Sequence, residues 1–404
     1  MSHGRSPESI GLRWSTAGES HGPCLIALLE GLPAALPLDF ERIQAGMMRR
    51  WAAYGRGPRA KFEKDPLTIL SGVKHGVTLG TPLAMQVGNG DTRINDLPNL
   101  AAPRPGHADL PGVLRSRSRD IRAVLERASA RETAARAALG EVARQYLAVF
   151  GIEVHAYVTE IGGVAAAPVP EDLQALRAGR DRSAFFAFDT SCDEAWRERI
   201  EAAREAGDSL GGVFEVQAWG CPPGLGGLAQ PVDRLDARLM AALASIPAIK
   251  GVEIGLGFAG SGVPGSRYHD EIHLAPGGWA GLQRASNHAG GIEGGYTTGA
   301  PVRLRAVMKP IPTLRKGAAS VDLAAMRESR ATYERSDVCT VSAASVVGEA
   351  VVALELASAL RARLGGVTLE EGWAVWARLG REENPADWPE DLAGRGGAPP
   401  AGAV

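Results

Sequence analysis

Two histidines in tight, glycine-containing loops are the strongest candidates for acid–base chemistry. His21 lies in GESHG (18–22), directly before an apolar run, and His107 lies in RPGHAD (104–109), where Pro and Gly shape a turn. An unperturbed histidine titrates near pH ~6.5, so it can donate or accept a proton at neutral pH. A single loop histidine is more often a surface residue than a catalytic one, and these two therefore need support from other polar segments.

A run of basic residues between positions 42 and 61 indicates a second kind of chemistry. It contains six basic residues and no acid: Arg42, Arg49, Arg50, Arg56, Arg59 and Lys61. Two interpretations are open, a binding site for a small anion and a solvated basic face. The anion site is favoured because the run includes the flexible loop YGRGP (54–58), and because converging arginines bind phosphate and carboxylate at two points.

Three further segments concentrate polar residues among glycines or beside arginines. They are RASARET (127–133), SNHAGGIEGG (286–295) followed by KPIPT (309–313), and ERSDV (334–338). In the first segment, helical spacing predicts that two arginines four residues apart lie on one helix face, and the glycines of the second allow backbone amides to reach a ligand. In the third, Asp337 lies close to Arg335, which favours an ionised carboxylate that can orient or accept a proton.

The composition is that of an ordinary globular protein and excludes several classes. The 404 residues include 44 Lys and Arg against 46 Asp and Glu, and this net charge of −2 argues against a surface built to attract nucleic acid or anionic lipid. The 4 cysteines lie far apart, which predicts a reduced, cytoplasmic protein without a metal site. Neither a secretion signal nor about 18 consecutive apolar residues is present, so no membrane association is expected.

Familiar nucleotide and hydrolase motifs are not found in the context that their chemistry needs. There is no GxxxxGKS/T and no HExxH motif, and no GxGxxG or GxSxG spacing leads from a predicted strand into a predicted helix. The sequence thus gives no support to a phosphate-loop, Rossmann, zinc-peptidase or α/β-hydrolase interpretation.

The elements that must position these loops come in uneven groups. Apolar or alternating runs predict strands over 24–30, 67–73, 152–161, 213–219, 252–256 and 302–308. Helical spacing predicts helices over 40–47, 124–150, 193–206, 232–246, 341–364 and 369–379. Thr368 and Glu371 predict a capping box at the start of the last helix. The irregular order favours a mixed α+β fold over a doubly wound parallel sheet.

The domain organisation is predicted from patterning along the chain. Residues 12–380 are expected to form a single catalytic domain, with a loose leader over 1–11 and a flexible tail over 381–404 that is rich in Pro, Gly and Ala. The segment 183–211 has the weakest apolar patterning inside the core, which is typical of a peripheral helical insertion.

Taken in order, the polar segments resemble the chorismate synthase family of flavin-dependent enzymes. The resemblance rests on GESHG (18–22), ILSGV (69–73), RPGHAD (104–109), RASARETAAR (127–136), GDSLGG (207–212), IKGVEIG (249–255), SNHAGGIEGG (286–295), KPIPT (309–313) and ERSDV (334–338). These peptides occur in the family's order and span the chain from Leu12 to about Leu364, which makes the resemblance specific.

The resemblance implies a reaction and an architecture. The reaction is the anti-1,4-elimination of phosphate from 5-enolpyruvylshikimate 3-phosphate to give chorismate, in the shikimate pathway of aromatic amino acid biosynthesis. Such a lyase requires reduced FMN although no net redox change occurs. The implied architecture is a layer of helices sandwiched between two antiparallel β-sheets, assembled as a homotetramer.

The resemblance also implies roles for individual residues. His21 is expected to serve the departing phosphate, His107 to protonate the reduced flavin, and Asp337 to work with flavin N5 in removing the substrate hydrogen. The implied FMN contacts are Arg127, Ala128, Ser129, Gly294, Lys309, Pro310, Ile311, Pro312, Thr313 and Arg335. Arg50 and Arg56 are associated with the phosphate of the substrate or of NADPH.

The basic run departs from the family pattern and leaves the flavin reductant open. Arg49-Arg50-Trp51 stands where many relatives carry three arginines, and Ala52-Ala53 replace a more usual Pro/Leu-Gly pair. NADPH therefore remains one possible reductant beside an external one. Two other functions are alternatives: an FMN-binding, flavin-reductase-like protein without elimination activity, and an RNA-binding protein, which the near-zero net charge disfavours.

Overall fold

The computed structural model describes residues 11–55, 65–169, 171–333, 337–379 and 385–387. Its strands are β1 (Arg13–Ala17), β2 (Cys24–Glu30), β3 (Ala34–Pro37), β4 (Leu67–Ser71), β5 (Val73–Lys74), β6 (Val77–Leu79), β7 (Leu83–Gly88), β8 (Glu153–Ile161), β9 (Val164–Ala165), β10 (Gly212–Trp219), β11 (Ile249–Ile254), β12 (Ile272–Trp279), β13 (Leu282–Arg284), β14 (Ile292–Glu293), β15 (Tyr296–Thr297), β16 (Val302–Met308), β17 (Ala319–Asp322) and β18 (Arg327–Arg330). Its α-helices are α1 (Phe40–Ala52), α2 (Asp109–Ser116), α3 (Arg122–Ala128), α4 (Thr133–Val149), α5 (Leu173–Arg180), α6 (Asp193–Glu205), α7 (Leu235–Ala244), α8 (Gly265–Tyr268), α9 (Val341–Leu364) and α10 (Leu369–Trp376).

Two antiparallel sheets carry most of the strand content. One has the order β1-β2-β7-β4 and the other the order β11-β16-β10-β8-β9. Along β2, buried and half-buried residues alternate, which is the period of a strand with one face in the core. Helix α4 contacts β2 and β7 of the first sheet, while α9 contacts β8 and β10 of the second, and the two helices pack against each other. The mixed α+β content agrees with the predicted class.

Helix α9 is mostly apolar and is buried on nearly all sides. By length and composition it could cross a membrane, and it is the one helix among the described residues that could. However, 94% of its most apolar window is buried. A helix that is hydrophobic on all sides is expected in the centre of a large core, so this feature is weak support for a membrane span.

The contact between α4 and α9 depends on glycine at position 140. A Cβ built on Gly140 would lie 2.2 Å from the Cβ of Ala350 and 2.4 Å from its Cα. We expect Gly140→Ala to destabilise the fold by about 1–3 kcal/mol, because the overpacking outweighs the better helix propensity of alanine. Gly372 in α10 is the matched control, since a Cβ there meets its nearest atoms at 3.9 Å.

Chemical denaturation measures the free energy of unfolding of both glycine variants. Gly372→Ala should stabilise the protein by about 0.5–1 kcal/mol, the usual gain for alanine inside a helix. Equal stability of Gly140→Ala and the unmodified protein would contradict the close contact between the helices.

Most predicted elements are present with small shifts of their ends. Strands β2 and β16 and helix α9 have the predicted bounds, and the capping box of Thr368 and Glu371 is confirmed with both of its hydrogen bonds. Strand β11, predicted over 252–256, begins and ends earlier, at Ile249 and Ile254. The predicted leader and tail lie almost wholly outside the described residues.

Two predictions about the helices are wrong. The single helix expected over 124–150 is interrupted at Ser129, whose extended backbone separates α3 from a short 3-10 turn and α4. The Oγ of Ser129 accepts a hydrogen bond from the backbone N–H of Arg131, which caps the new start. The segment 183–211 is not peripheral, because Phe185, Trp196 and Ile200 are fully buried in the main core.

Candidate active site

The loop that carries His21 joins β1 to β2 and is fixed by α3. Gly18 begins it with a φ of 110°, and a Cβ there would lie 2.4 Å from the carbonyl oxygen of Cys24, so only glycine fits. The backbone N–H of His21 donates to Oε2 of Glu126 at 2.8 Å, and Nδ1 of its ring lies 2.9 Å from Oε1. The backbone N–H of Ser20 donates to the carbonyl oxygen of Glu126 at 3.0 Å. The imidazole is thereby held at the end of α3.

The residues that follow Glu126 contact the His21 loop and the end of β1. Arg127 donates to the carbonyl oxygens of Thr16 at 3.0 Å and Gly18 at 3.3 Å, and its side chain remains 46% exposed. Ser129 donates from its Oγ to Oγ of Ser20 at 3.2 Å. Three predicted site residues, His21, Arg127 and Ser129, are therefore brought together, with Ala128 between the last two.

The second histidine loop is organised by Asp109 at the start of α2. Arg104 donates three hydrogen bonds to the carboxylate of Asp109: from Nε at 2.8 Å, from Nη2 at 3.0 Å and from the backbone N–H of Arg104 at 3.0 Å. Nδ1 of His107 lies 2.5 Å from Oδ1 of Asp109. Burial opposes ionisation of Asp109, but the hydrogen bonds from His107 and Arg104 outweigh it and hold its pKa well below the ordinary value.

The KPIPT segment (309–313) lies against this loop. Nη1 of Arg104 donates to Oγ1 of Thr313 at 3.1 Å, and the ammonium of Lys309 donates to the carbonyl oxygen of Gly106. Burial, together with the positive charge of Lys250, lowers the pKa of Lys309. His107, Lys309 and Thr313 thus form a second group of predicted residues, and Pro310, Ile311 and Pro312 connect its two ends.

Two packed helices connect the groups. Helix α2 starts just after His107, and α3 ends just after the acid that holds His21. The helices contact each other, and a Cβ on Gly112 of α2 would lie 2.3 Å from a methyl carbon of Val124 in α3. The sequence thereby fixes both histidine loops to the same helical unit.

Asp337 is half-buried and follows a segment that lies outside the described residues. The next residue, Val338, accepts a hydrogen bond from the N–H of Leu210 at 2.9 Å and donates to the carbonyl oxygen of Gly55 at 3.4 Å. Oγ of Ser209 donates to the carbonyl oxygen of Ile311 at 2.6 Å. This chain of contacts links the Asp337 segment to the basic run and to KPIPT (309–313). Two other predicted residues, Arg56 and Arg335, lie outside the described residues.

Arg50 connects the basic run to the His21 loop. It is 3% exposed, so at this position the run is not a solvated face, and its Nη1 lies 3.6 Å from Oδ2 of Asp65. Asp65 also forms an ion pair with Arg131, whose Nε donates to Oδ1 of Asn89 at 2.7 Å. Asn89 in turn donates to the carbonyl oxygen of Gly22 at 2.7 Å. The buried arginines suit an anionic ligand.

Gly294 has a different set of neighbours. It lines a cavity of about 590 Å³ together with Tyr268, His269 and Asp270, and this lining shares no residue with the two histidine loops. A Cβ on Gly294 would meet no atom within 4 Å, so its backbone faces open space. Among the predicted site residues that the structure describes, Gly294 thus shows no contact with either histidine loop.

Sequence reasoning missed the acids that hold the site. Asp109 lies in the RPGHAD motif and Glu126 directly precedes Arg127, so both acids lie in or beside the recognised motifs. The local sequence does not show which side chains they hydrogen-bond. The contact from His21 to Glu126 spans 105 positions, and Asp65 contacts Arg131 over 66. Among the described residues, no group of three or more His, Cys, Asp or Glu side chains is placed to hold a metal ion.

Loop histidines backed by buried acids, next to arginines and a lysine, define an α+β protein equipped for proton transfer on anionic ligands. The profile of the family described as chorismate synthase matches residues 12–360. A chorismate synthase of Geobacter sulfurreducens is 48% identical over 377 residues, which cover 89% of this chain and 96% of the relative. One of Desulforudis audaxviator is 50% identical over 372 residues, covering 89% and 95%.

A solved structure agrees with the sequence relatives. It is described as the crystal structure of chorismate synthase, is 41% identical, and superimposes with a TM-score of 0.76 over 91% of this chain and 97% of the other. This chain belongs to the chorismate synthase family.

Proposed function

We propose that the protein catalyses the anti-1,4-elimination of phosphate from 5-enolpyruvylshikimate 3-phosphate to give chorismate, with reduced FMN bound. The observation that carries this proposal is the attachment of two carboxylate-backed histidine loops to one pair of packed helices, α2 and α3, beside Arg127 and Lys309. The alternative, a flavin-reductase-like protein without elimination activity, is less favoured because it requires no such pair of histidines.

The electrostatics of the site support the proposal. The substrate carries two carboxylates and a phosphate, and FMN brings a further phosphate, so several negative charges enter one region. Positive side chains must offset this repulsion. Arg50 is buried near the His21 loop, and Lys309 lies at the His107 loop. A buried guanidinium suits the phosphate or carboxylate geometry of such ligands.

Side chains next to the two histidine loops fit a flavin phosphate and ring. Arg127 keeps its guanidinium half exposed, and Ser129 and Thr313 offer hydroxyl groups. We assign the FMN contacts to Arg127, Ala128, Ser129, Lys309, Pro310, Ile311, Pro312 and Thr313, and also to Gly294 and Arg335 on the family pattern. Bound reduced FMN supplies an electron-rich ring beside the substrate, without net redox change in the reaction.

Three residues handle protons in this proposal. His21 serves the phosphate as it departs, His107 keeps a proton available beside the flavin, and Asp337 takes part in removing the ring hydrogen of the substrate. General acids and bases of this kind contribute about 10²–10⁴-fold each, so no single one supplies the whole rate enhancement. Arg50 and Arg56 are assigned to the phosphate of the substrate or of NADPH.

The remaining features of the proposal rest on the family resemblance. They are a homotetramer, a cytoplasmic location, a single catalytic domain over 12–380, and small-molecule ligands in place of nucleic acid or membrane partners. The proposed helical layer between two antiparallel sheets is supported by the packing of α4 on one sheet and of α9 on the other.

An anaerobic assay tests the activity. Purified protein with 5-enolpyruvylshikimate 3-phosphate and chemically reduced FMN should release phosphate and form chorismate, whereas oxidised FMN should give neither. A parallel assay with NADPH in place of the chemical reductant decides whether the chain reduces its own flavin. Bound, reduced flavin without phosphate release would instead favour the flavin-reductase-like function.

A further inference from the structure

Each candidate histidine is held by a buried carboxylate through the same ring nitrogen. Nδ1 of His21 faces Glu126 at 2.9 Å, and Nδ1 of His107 faces Asp109 at 2.5 Å. The acid side chains are 3% and 1% exposed, and the histidine side chains 13% and 17%. In both pairs the acid is the more deeply buried partner, and the histidine keeps a small opening to its surroundings.

Both acids are ionised, and this decides where the histidine proton lies. Burial raises the pKa of Glu126, but hydrogen bonds from His21 and the nearby charge of Arg122 outweigh burial and lower it. The pKa of Asp109 is lowered in the same way by His107 and Arg104, against the effect of burial. An ionised carboxylate only accepts hydrogen bonds, so Nδ1 of each histidine must donate one.

The other ring nitrogen is then the one that can exchange a proton with a ligand. Nε2 of His21 has no hydrogen bond to any described residue. Nε2 of His107 lies 3.5 Å from Nη2 of Arg104, at the limit of a hydrogen bond, and Nδ1 lies 3.1 Å from the same atom. Because a guanidinium only donates, Arg104 acts on the protonated Nδ1 as a neighbouring positive charge.

We propose that Glu126 and Asp109 are positioning residues that fix His21 and His107 as the Nδ1-protonated tautomer and turn each Nε2 toward the bound ligands. This inference rests on the proposed function. Neither acid touches the reacting atoms, and each acts through its histidine, as carboxylates commonly do when they set the tautomer of a catalytic imidazole.

The two pairs are not equivalent. Asp109 receives three hydrogen bonds from Arg104, whereas Glu126 has Arg122 only at 3.5 Å. The negative charge of Glu126 is therefore less offset by a nearby cation and acts more strongly on His21. Removing the charge of Glu126 should consequently impair turnover more than removing that of Asp109.

A third pair, on β8, provides a matched control. Oε2 of Glu153 lies 3.0 Å from Nε2 of His155, and Arg180 donates toward Nδ1 of the same ring at 3.2 Å. This arrangement requires the opposite tautomer, with the proton on Nε2. The protein thus contains an internal reference for both spectroscopy and activity.

Solid-state NMR of the full chain labelled with ¹⁵N-histidine measures the tautomers directly, with signals assigned by single His→Gln variants. We expect Nδ1–H at His21 and His107 and Nε2–H at His155. In the anaerobic assay, Glu126→Gln and Asp109→Asn should lower kcat by about 10–100-fold, the range found for carboxylates that orient ligating histidines, with KM unchanged. Glu153→Gln should leave kcat unchanged.

The outcomes separate this inference from the proposed function. A His21 or His107 ring without a proton on Nδ1 in the unmodified protein would overturn the inference, and so would a normal kcat in both acid variants. The spectra require neither turnover nor a variant of the acids, so they decide the matter even if Glu126→Gln fails to fold. Absence of elimination activity together with Nδ1–H at both histidines would refute the proposed function alone.

Discussion

Replacing His107 by alanine is expected to lower kcat by about 10²–10⁴-fold, the contribution of a positioned proton donor, while reduced FMN still binds. The fold should survive because Asp109 keeps its three hydrogen bonds from Arg104, and Arg104 keeps its bond to Thr313. Anaerobic steady-state kinetics measure kcat, and titration with FMN measures the flavin affinity.

His273 offers a control for the loss of a histidine. It lies exposed on β12, next to Glu271 at 3.5 Å. His273→Ala should leave kcat unchanged. If His107→Ala turned over at the normal rate, its assignment as a proton-handling residue would be wrong, whatever the effect on stability.

The parts of the fold that follow from local sequence were predictable. Helix α9 is rich in apolar residues along its whole length, and its bounds match the prediction. The capping box at Thr368 was readable because its two hydrogen bonds join residues three positions apart. Residue spacing along the chain is enough to predict a buried helix and a capping box of this kind.

Features decided by distant partners were not predictable. The apolar spacing over 124–150 is continuous, yet Ser129 leaves the helix and donates to Ser20, a contact that no local pattern encodes. The weak apolar patterning of 183–211 hid its burial, since a few apolar residues at helical spacing, Trp196 and Ile200 among them, are enough to hold α6 in the core. Here tertiary contacts override local preference.

The same division holds for the candidate site. Motifs led to His21, His107 and Lys309, because loops that carry chemistry combine glycine with polar residues. The acids at 109 and 126 could not be assigned, since hydrogen bonding to a particular ring nitrogen is a property of the folded chain. A resemblance to a family transfers residue types, whereas the geometry that sets a tautomer must be read from coordinates.

A second large effect is expected from the buried acid of α9. The Glu349 side chain is 1% exposed and contacts Arg49 at 2.6 Å, Arg144 at 2.9 Å and Arg180 at 3.0 Å, while it accepts from the N–H of Ala156 at 2.8 Å. Glu349→Ala leaves one buried and two half-buried guanidinium groups without their shared partner. Breaking a buried ion pair in this way typically costs about 3–5 kcal/mol, which denaturant unfolding at fixed protein concentration measures.

The pH dependence distinguishes loss of this charge from simple loss of packing. Burial raises the pKa of Glu349, but Arg144, Arg49 and Arg180 outweigh burial and hold it well below the usual value. An unfolded glutamate has a pKa of about 4.3, so the stabilisation is fully present above that pH and is lost as the pH falls through the lower, folded pKa. The stability difference between the unmodified protein and Glu349→Ala should therefore be constant near neutral pH and narrow in acid.

The exposed Glu194, paired with Arg197 at 3.4 Å, is the control, and Glu194→Ala should change stability by less than about 1 kcal/mol. If the stability difference between the unmodified protein and Glu349→Ala widened as the pH fell, Glu349 could not be charged in the folded protein.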